Sequence, residues 1–209
     1  MCGRFCIAAS PGEILERYDV IVPDEYRPRY NISPANKILA ISQNGTGNIA
    51  RMHEWGITAG LSHRIINARI ETVREKNLFR KSFEEYRCLI PASGYYEWKH
   101  EKTRKTPYYF SSQITPILSF AGFIRPSLEG EQVVILTTKA LLPYSDIHDR
   151  MPVILDPAGE PDYLKGGNIS IFEKGLDIIE VSPRVNQVHV DDPDLIKPMT
   201  HRSGQRTLG

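Results

Sequence analysis

Short apolar segments, rich in β-branched and aromatic residues, recur along most of this chain and are bounded by Gly, Pro, Asn or Asp. Segments of this kind are typical of β-strands. Few helical patterns separate them, and strands and helices do not alternate regularly. We therefore predict a β-rich α+β fold, built as a curled sheet or an open barrel with a few short helices. The predicted strands are Lys37–Ser42, Cys88–Pro91, Tyr95–Lys99, Tyr108–Ser111, Ile117–Phe123, Val133–Thr138, Val153–Leu155 and Ile178–Val181.

Three short helices are predicted among these strands. Ser10–Glu13 has the Ser-x-x-Glu form of a capping box, with Pro at the first helical position. Aromatic residues recur at helical spacing over residues 75–86, and Gly166 ends a third helix at Pro161–Lys165. The apolar face of the first helix is predicted to consist of Ile14, Leu15 and Tyr18.

Length and composition place the chain among ordinary globular proteins. With 209 residues, 41% of them hydrophobic and 24% charged, it has the size of a single domain, and we expect the last ~10 residues to form a flexible tail. No apolar run approaches the ~20 residues of a transmembrane helix, and the apolar stretch near the amino terminus is too short for a signal peptide. Three cysteines argue against a disulfide framework. We predict a cytoplasmic protein without a membrane partner, nucleoid-associated in a bacterium or nuclear in a eukaryote.

The net charge gives no sign of a strong electrostatic partner. The chain holds 26 basic and 25 acidic residues, so no overall field indicates nucleic acid. Residues 1–105 contain 17 basic and 12 acidic residues, whereas residues 106–209 contain 9 and 13. This asymmetry is compatible with a binding face and equally with ordinary scatter over a solvated surface.

Cys2 is the first candidate for chemistry. It follows Met1 and is small enough for that Met to be removed, which would leave Cys2 as the amino terminus. Cys2 would then carry two nucleophiles, an α-amine with an ordinary pKa of about 7.7–8.0 and a thiol near 8.5. The amine can form a Schiff base with an aldehyde, and the thiol can close a more durable five-membered thiazolidine. The alternative is a small buried hydrophobic residue without a chemical role.

Two further stretches place polar groups beside apolar segments. Asn67 offers both a donor and an acceptor, and Arg69 suits phosphate or carboxylate. Glu71 is either a charge at a helix N-terminus or the ion-pair partner of Arg69. His148 can act as an acid or a base and Arg150 can bind phosphate, although a lone His in a loop is more often an ordinary surface residue.

Glu97 lies in a predicted strand that is rich in aromatic residues. Strand alternation puts it on the same face as Tyr95 and Lys99. If that face borders a partly apolar pocket, the pKa of Glu97 rises and its carboxyl group becomes a proton shuttle near neutral pH. The alternative is a solvent-facing Glu97 that pairs with Lys99 or Arg104.

Nine stretches of this sequence, taken in order, resemble the SRAP family, the SOS-response-associated peptidases, which process abasic sites. The resemblance covers nearly the whole chain, and the order of the stretches makes it specific although each one is short. The stretches are MCGRF at 1–5, RYNISP at 29–34, EWG at 54–56, INARIET at 66–72, RCLIPASGYYEWK at 87–99, FAG at 120–122, ILTTKA at 135–140, IHDRMPVIL at 147–155 and VSPRVN at 181–186.

The resemblance implies a sensor of abasic sites in single-stranded DNA that is monomeric and uses no cofactor or metal. In such proteins the Cys reacts with the ring-opened sugar aldehyde and forms a thiazolidine DNA–protein crosslink, which shields the lesion. The residues before the Cys are removed by autoproteolysis, and lyase activity on the DNA strand is left open. The implied catalytic residues are Cys2 as nucleophile, Asn67 to orient its amine, Glu97 to shuttle protons and His148 to assist sugar-ring opening. The implied DNA contacts are Arg4, Arg69 and Arg150 on phosphates, with Asn31 and Trp98 lining the site.

One segment departs from the family pattern. After Glu54–Gly56 the family continues with a Pro and further aromatic residues over a longer loop, whereas this chain reads ITAGLSHR at 57–64. Those aromatic residues are expected to stack on bases or to lie beside the lesion. The resemblance therefore does not extend to base stacking at this position.

Three other functions stay open at the level of the sequence. A non-covalent module for single-stranded DNA would bind in a salt-sensitive manner without reacting. A cysteine peptidase acting in trans would use Cys2 as nucleophile and His148 as base, although no papain-type signature is present. A zinc site formed by Cys2, Cys6, Cys88 and a His lacks the Cys-x-x-Cys spacing that is usual for such sites.

Overall fold

The structure is a computed structural model that describes residues 2–45, 47–58, 63–127, 130–172 and 175–199. Within these ranges, twelve strands form two sheets beside three short α-helices, so the predicted β-rich α+β class is confirmed. The helices are α1 (Pro11–Tyr18), α2 (Arg80–Glu85) and α3 (Glu160–Leu164). The strands are β1 (Phe5–Ile7), β2 (Arg29–Ile32), β3 (Lys37–Asn44), β4 (Gly47–Trp55), β5 (Asn67–Arg69), β6 (Arg87–Ala92), β7 (Gly94–His100), β8 (Lys105–Ser111), β9 (Leu118–Arg125), β10 (Gln132–Lys139), β11 (Arg150–Pro152) and β12 (Asp177–Glu180). Short 3-10 turns cover Tyr144–Asp146, Pro157–Gly159, Pro183–Asn186 and Pro193–Ile196.

The first sheet has five antiparallel strands in the order β12, β8, β7, β1, β2. Its strand β1 is only three residues long and lies between two partners. Phe5 is opposite Tyr95 of β7 on one side and Ile32 of β2 on the other. The chain just before β1 is therefore held next to β7, the strand that carries Glu97.

The second sheet follows the order β11, β10, β4, β3, β6, β9 and is strongly curled, because β10 also pairs with β9. Strand β5 pairs with β10 in parallel and places Asn67 opposite Ile135. Strand β11 pairs with the end of β10 and places Arg150 opposite Lys139. Both β5 and β11 are thus added at the same end of β10, which brings Asn67 and the loop before Arg150 to one region.

The main core joins the two sheets through aromatic residues. The ring of Phe5 stands edge-on to Trp55, with centroids 5.3 Å apart, and to Phe120, at 5.9 Å. Tyr95 stacks on Phe110 at 4.6 Å. Burial of each such side chain contributes roughly 1.5–3 kcal/mol relative to exposure. A second, smaller core on the other face of the first sheet consists of Cys6, Tyr96, Tyr109, Val181, Val185 and Leu195.

The capping box of α1 is formed as predicted. The hydroxyl of Ser10 accepts a hydrogen bond from the backbone N–H of Glu13, and the Glu13 carboxylate accepts one from the backbone N–H of Ser10. Ile14 and Tyr18, four residues apart, share the buried face. The prediction was wrong for Leu15, which is half exposed because it lies about 100° further around the helix.

Two other predicted elements differ from the structure. Helix α2 begins at Arg80 rather than at residue 75, because turns precede it and Phe79 at its N-cap offers no side-chain hydrogen bond. Phe79 and Phe83 are both buried and lie four residues apart, so these two residues alone account for the helical spacing. The pattern therefore does not require residues 75–78 to be helical. The continuous strand in this region is Arg150–Pro152, where the end of β10 supplies its hydrogen-bonding partner. Within the predicted strand Val153–Leu155, Ile154 and Leu155 form only isolated bridges, to Phe120 and Ile171.

No helix among the described residues is long and apolar enough to cross a membrane. The predicted flexible tail falls on residues 200–209, outside the described ranges. Residues 59–62 of the divergent segment are also outside them, whereas Ile57 and Ile65 at its two ends are joined by backbone hydrogen bonds.

Candidate active site

Cys2 is completely buried at the start of the first sheet. Its backbone carbonyl accepts a hydrogen bond from the side-chain amide of Asn67 at 2.8 Å. The next residues are fixed by strand pairing, since the N–H of Tyr96 donates to the carbonyl of Arg4 at 2.9 Å. Burial and then the nearby charge of Glu97 raise the pKa of the Cys2 thiol, so the thiol is protonated at neutral pH.

Asn67 is the first residue of β5 in the second sheet. While its amide nitrogen donates to Cys2, its Oδ1 atom is buried and accepts no hydrogen bond from the residues that the structure describes. An unsatisfied buried acceptor costs about 1–3 kcal/mol. Asn67 is therefore prepared to accept a hydrogen bond from a donor placed next to Cys2.

Glu97 is 3% exposed, which rules out the alternative of a solvent-facing carboxylate. Arg104, one of its suggested partners, forms an ion pair with Glu180 instead. Desolvation by burial, with a smaller effect from the negative charge of Asp149, raises the pKa of Glu97 to about 7. Both protonation states of Glu97 are thus populated near neutral pH, as a proton shuttle requires.

The predicted alternation along β7 is also found. Tyr95 belongs to the main core, and the pKa of its hydroxyl is raised by burial and then by Cys2 and Glu97. Tyr96 and Trp98 belong to the smaller core on the other face. Glu97 is therefore on the face of β7 that Cys2 approaches.

His148 lies opposite Glu97, with its Nε2 atom 4.0 Å from a carboxylate oxygen of Glu97. Its side chain is 23% exposed. Its Nδ1 atom accepts a hydrogen bond from the backbone N–H of Arg150 at 3.0 Å, which places the ring proton on Nε2, toward Glu97. Asp149 also lies 2.9 Å from Nδ1 and would favour the imidazolium, but its side chain is 85% exposed and its charge is screened by solvent. Burial dominates and lowers the pKa of His148, so the ring is neutral at pH 7.

Arg150 is engaged by Glu71 through two parallel hydrogen bonds of 2.7 and 2.9 Å. It also donates to the carbonyl of Thr137 at 2.6 Å. The hydrogen bonds with Arg150 lower the pKa of Glu71. Glu71 is thus not the partner of Arg69 that the sequence suggested, and the Arg150 pair fixes the backbone that holds His148.

Arg4, Asn31 and Trp98 form a cluster beside this group. Arg4 donates 2.7 Å hydrogen bonds to the Asn31 side chain and to the carbonyl of Val185, and its guanidinium lies 6.0 Å from the Trp98 ring centre. Asn31 is fully buried and donates to carbonyl groups of the 185–190 segment. The indole N–H of Trp98 donates to Asn186 at 2.8 Å. These contacts attach the 3-10 turn at Pro183–Asn186 to the site.

Arg69 differs from the other predicted DNA contacts. It is exposed, two residues after Asn67 on the same face of β5, and its side chain makes no ion pair or hydrogen bond with the described residues. The structure thus brings together Cys2, Asn67, Glu97 and His148, and it leaves Arg69 as an available cation nearby.

A cavity of about 400 Å³ opens onto Glu97 and His148. It is also lined by Trp98, and by three residues that the sequence analysis did not select: His100, Lys105 and Asn186. The sequence contained a signal for two of them, because His100 and Lys105 flank a polar turn between two β-segments and so face each other in a hairpin.

No metal site is formed by the described residues. Cys2, Cys6 and Cys88 are all buried free thiols, and no three His, Cys, Asp or Glu side chains in the described ranges are grouped as metal ligands are. The zinc alternative therefore receives no support from the positions of these cysteines.

The fold and the site together define a class: a two-sheet, β-rich protein in which a cysteine near the amino terminus meets an Asn, a Glu and a His. The chain belongs to the SOS response associated peptidase (SRAP) family, whose model matches residues 1–188. The resemblance seen in the sequence is thereby confirmed.

Relatives and solved structures agree with this assignment. The chain is 33% identical over 222 residues to the abasic site processing protein YoqW of Bacillus subtilis, covering 94% of this chain and 99% of that protein. It is 29% identical to the abasic site processing protein YedK of Escherichia coli, covering 79% and 80% of the two chains. A crystal structure of a protein from Bacteroides thetaiotaomicron has the same fold, with a TM-score of 0.78, 22% identity and coverage of 95% and 100%.

Proposed function

We propose that this protein processes abasic sites in single-stranded DNA by forming a covalent bond with the lesion through Cys2. The observation that carries the proposal is the meeting of Cys2 with Asn67, Glu97 and His148, in which Glu97 has a pKa of about 7 and lies 4.0 Å from His148. The names of the relatives as abasic site processing proteins support the same substrate.

The proposed reaction needs no oxidant or cofactor. After removal of Met1, the α-amine of Cys2 attacks the aldehyde carbon of the ring-opened sugar, and loss of one water gives a Schiff base. The thiol of Cys2 then adds to the imine carbon, and its proton passes to the nitrogen. The product is a thiazolidine that joins Cys2 to the DNA and shields the lesion.

The surrounding side chains have one role each in this scheme. The buried Oδ1 of Asn67 accepts a hydrogen bond from the Cys2 amine and orients its lone pair toward the aldehyde. Glu97 takes a proton from the attacking amine and returns one to the departing hydroxyl group. The Nε2–H of neutral His148 donates to the sugar ring oxygen and assists ring opening. The burial that raises the thiol pKa keeps Cys2 in its protonated form until the imine is present.

The proposed DNA contacts fall into two groups. Arg69 is exposed and available for a phosphate, and Trp98, on the cavity wall, is available for a base or sugar. Arg4, Asn31 and Arg150 already have partners within the protein, so a phosphate would have to share them. We therefore propose that the main role of Arg4, Asn31 and Arg150 is to maintain the shape of the site, and that their contact with DNA is secondary.

Removal of Met1 is the activating step that the proposal requires, whether it occurs by autoproteolysis or by a separate aminopeptidase. Intact-mass measurement of the purified protein reports whether Cys2 is the amino terminus. A protein that retains Met1 has a blocked Cys2 amine and should not form the thiazolidine.

The decisive experiment mixes protein beginning at Cys2 with a single-stranded oligonucleotide that bears one abasic site. We expect a band that survives denaturing electrophoresis, with the mass of protein plus oligonucleotide less one water. Cys2→Ala should abolish it, whereas Cys88→Ala, which removes another buried thiol, should retain it. An undiminished band in Cys2→Ala, or no band in the unmodified protein, refutes covalent capture. Salt-sensitive binding without a band would identify a non-covalent DNA-binding module instead.

A further inference from the structure

The end of the β7–β8 hairpin lies at the mouth of the site. His100 and Lys105 form the last pair of this antiparallel ladder, joined by four residues in which the N–H of Glu101 donates to the carbonyl of Arg104. Trp98 occupies the alternate position of β7, so it shares a face with His100. His100 and Lys105 line the same cavity as Glu97 and His148.

His100 and Lys105 are exposed, and neither forms a side-chain hydrogen bond or ion pair with the described residues. The neighbouring arginines, in contrast, have acidic partners, since Arg104 pairs with Glu180 and Arg184 pairs with Asp192. Lys105 is therefore a cation at the cavity whose charge is not compensated by an ion pair within the described residues.

The inner part of this cavity holds an acidic group. Glu97 lines it beside His148, and in its ionised form it repels a phosphate that enters with the sugar. A cation on the outer wall offsets that repulsion. His100 lines the same cavity as His148, which places the hairpin end near the reacting groups.

Arg69 and Lys105 come from different sheets. Arg69 extends from β5 of the second sheet, and Lys105 starts β8 of the first sheet. Since Cys2 and Asn67 also meet across the two sheets, a strand that lays its abasic sugar at Cys2 has one available cation on each sheet.

We propose that Lys105, with His100 beside it, binds a backbone phosphate of the strand whose abasic sugar reacts at Cys2. This inference rests on the proposed function, because it assigns the DNA path at the same site. The ligand class is a phosphodiester of single-stranded DNA, read without regard to base sequence. The contact sets affinity for the strand and takes no part in the bond-forming steps.

The test compares Lys105→Ala with Lys102→Ala, which removes an exposed lysine from the same hairpin turn but does not line the cavity. Binding of an intact single-stranded oligonucleotide is measured over a range of salt concentrations, and crosslinking to the abasic oligonucleotide is measured at saturation. Lys105→Ala should bind about fivefold more weakly, with the slope of log K against log salt reduced by about 0.7. Lys105→Arg should restore both, and the crosslinking rate at saturation should be unchanged in each variant.

Two results would overturn this inference. One is equal affinity and salt slope in Lys105→Ala and the unmodified protein. The other is an equal loss in Lys102→Ala, which would show a general effect of charge rather than a phosphate contact at Lys105. Both are separable from failure of the proposed function, because binding to intact DNA is measured without the covalent step. An unmodified protein that binds but never crosslinks refutes only capture at Cys2.

Discussion

The carboxylate of Glu97 and the imidazole of His148 face each other at 4.0 Å across the floor of the cavity. The same burial acts on both groups in the direction that favours their neutral forms, since it raises the pKa of Glu97 to about 7 and lowers the pKa of His148. Near pH 7 a partly protonated carboxyl group and a neutral imidazole are thus adjacent, each able to exchange a proton.

Replacement of Glu97 by Gln should slow adduct formation by about 100-fold or more at pH 7, because Gln keeps the shape but cannot transfer a proton. The measurement is the single-turnover rate with a saturating abasic oligonucleotide. Glu101→Gln, at an exposed position of the hairpin turn, is the matched control and should react at the unmodified rate. A Glu97→Gln variant as fast as this control would exclude the proton-shuttle role.

The buried carboxyl group of Glu97 should also make stability depend on pH. Its folded pKa of about 7 is above its ordinary value of 4.5, so between these values the folded state binds more protons than the unfolded state. Its contribution is fully present below pH 4.5 and is lost as the pH rises through 7. We expect the free energy of unfolding of the unmodified protein, relative to that of Glu97→Gln, to fall by roughly 2–3 kcal/mol from pH 5 to pH 8. Denaturant titrations at both pH values measure it, and a constant difference would contradict the raised pKa.

Loss of the Asn67 side chain should affect the reaction more than binding. Asn67→Ala removes the hydrogen bond to the Cys2 carbonyl and the buried acceptor beside it, so the Cys2 amine loses its orientation. We expect the rate at saturation to fall about tenfold or more, while affinity for intact oligonucleotide is retained. Asn77→Ala, at an exposed position, serves as the control. Equal rates in the two variants would count against the orienting role.

Arg150 and Arg69 should separate stability from DNA binding. Arg150→Ala removes the pair with Glu71 and the hydrogen bond to the buried carbonyl of Thr137, and should lower the free energy of unfolding by about 1–3 kcal/mol. Arg69→Ala should change it by less than ~0.5 kcal/mol, but should weaken DNA binding and reduce the salt slope by about 0.7. Thermal unfolding and salt-dependent DNA binding are measured for both variants. A stability loss in Arg69→Ala together with a binding loss confined to Arg150→Ala would contradict this assignment.

Much of the fold was predictable from the sequence because its strands are locally encoded. Aromatic and β-branched runs marked β6 to β10, and Ser10 with Glu13 marked the start of α1. Strand β4 was missed, because Arg51, His53 and Glu54 interrupt its apolar pattern. Its pairing with β3 along eight positions determines its structure. Strand β1, of three residues, is likewise defined by its neighbours.

The candidate site shows the same division between local and distant information. Strand alternation predicted that Glu97 shares a face with Tyr95, but the sequence left the burial of Glu97 open until the structure placed that face against the core. The pairing of Glu71 with Arg150 joins residues 79 positions apart, and the sequence offered Arg69 as a nearer partner. The ion pair forms because β5 and β11 both pair with β10. This strand pairing cannot be predicted from the residues next to Glu71 or Arg150 in the sequence.

The position of β1 inside the first sheet has a consequence for when the protein can react. An aminothiol on a loose chain end would meet any small aldehyde or oxidant in its surroundings. Here Cys2 precedes a strand held between β7 and β2, and it is fully buried. Its partners Asn67 and His148 arrive from the other sheet. Reactivity is therefore a property of the completed fold, and a partly unfolded molecule loses the site and the protection of its nucleophile together.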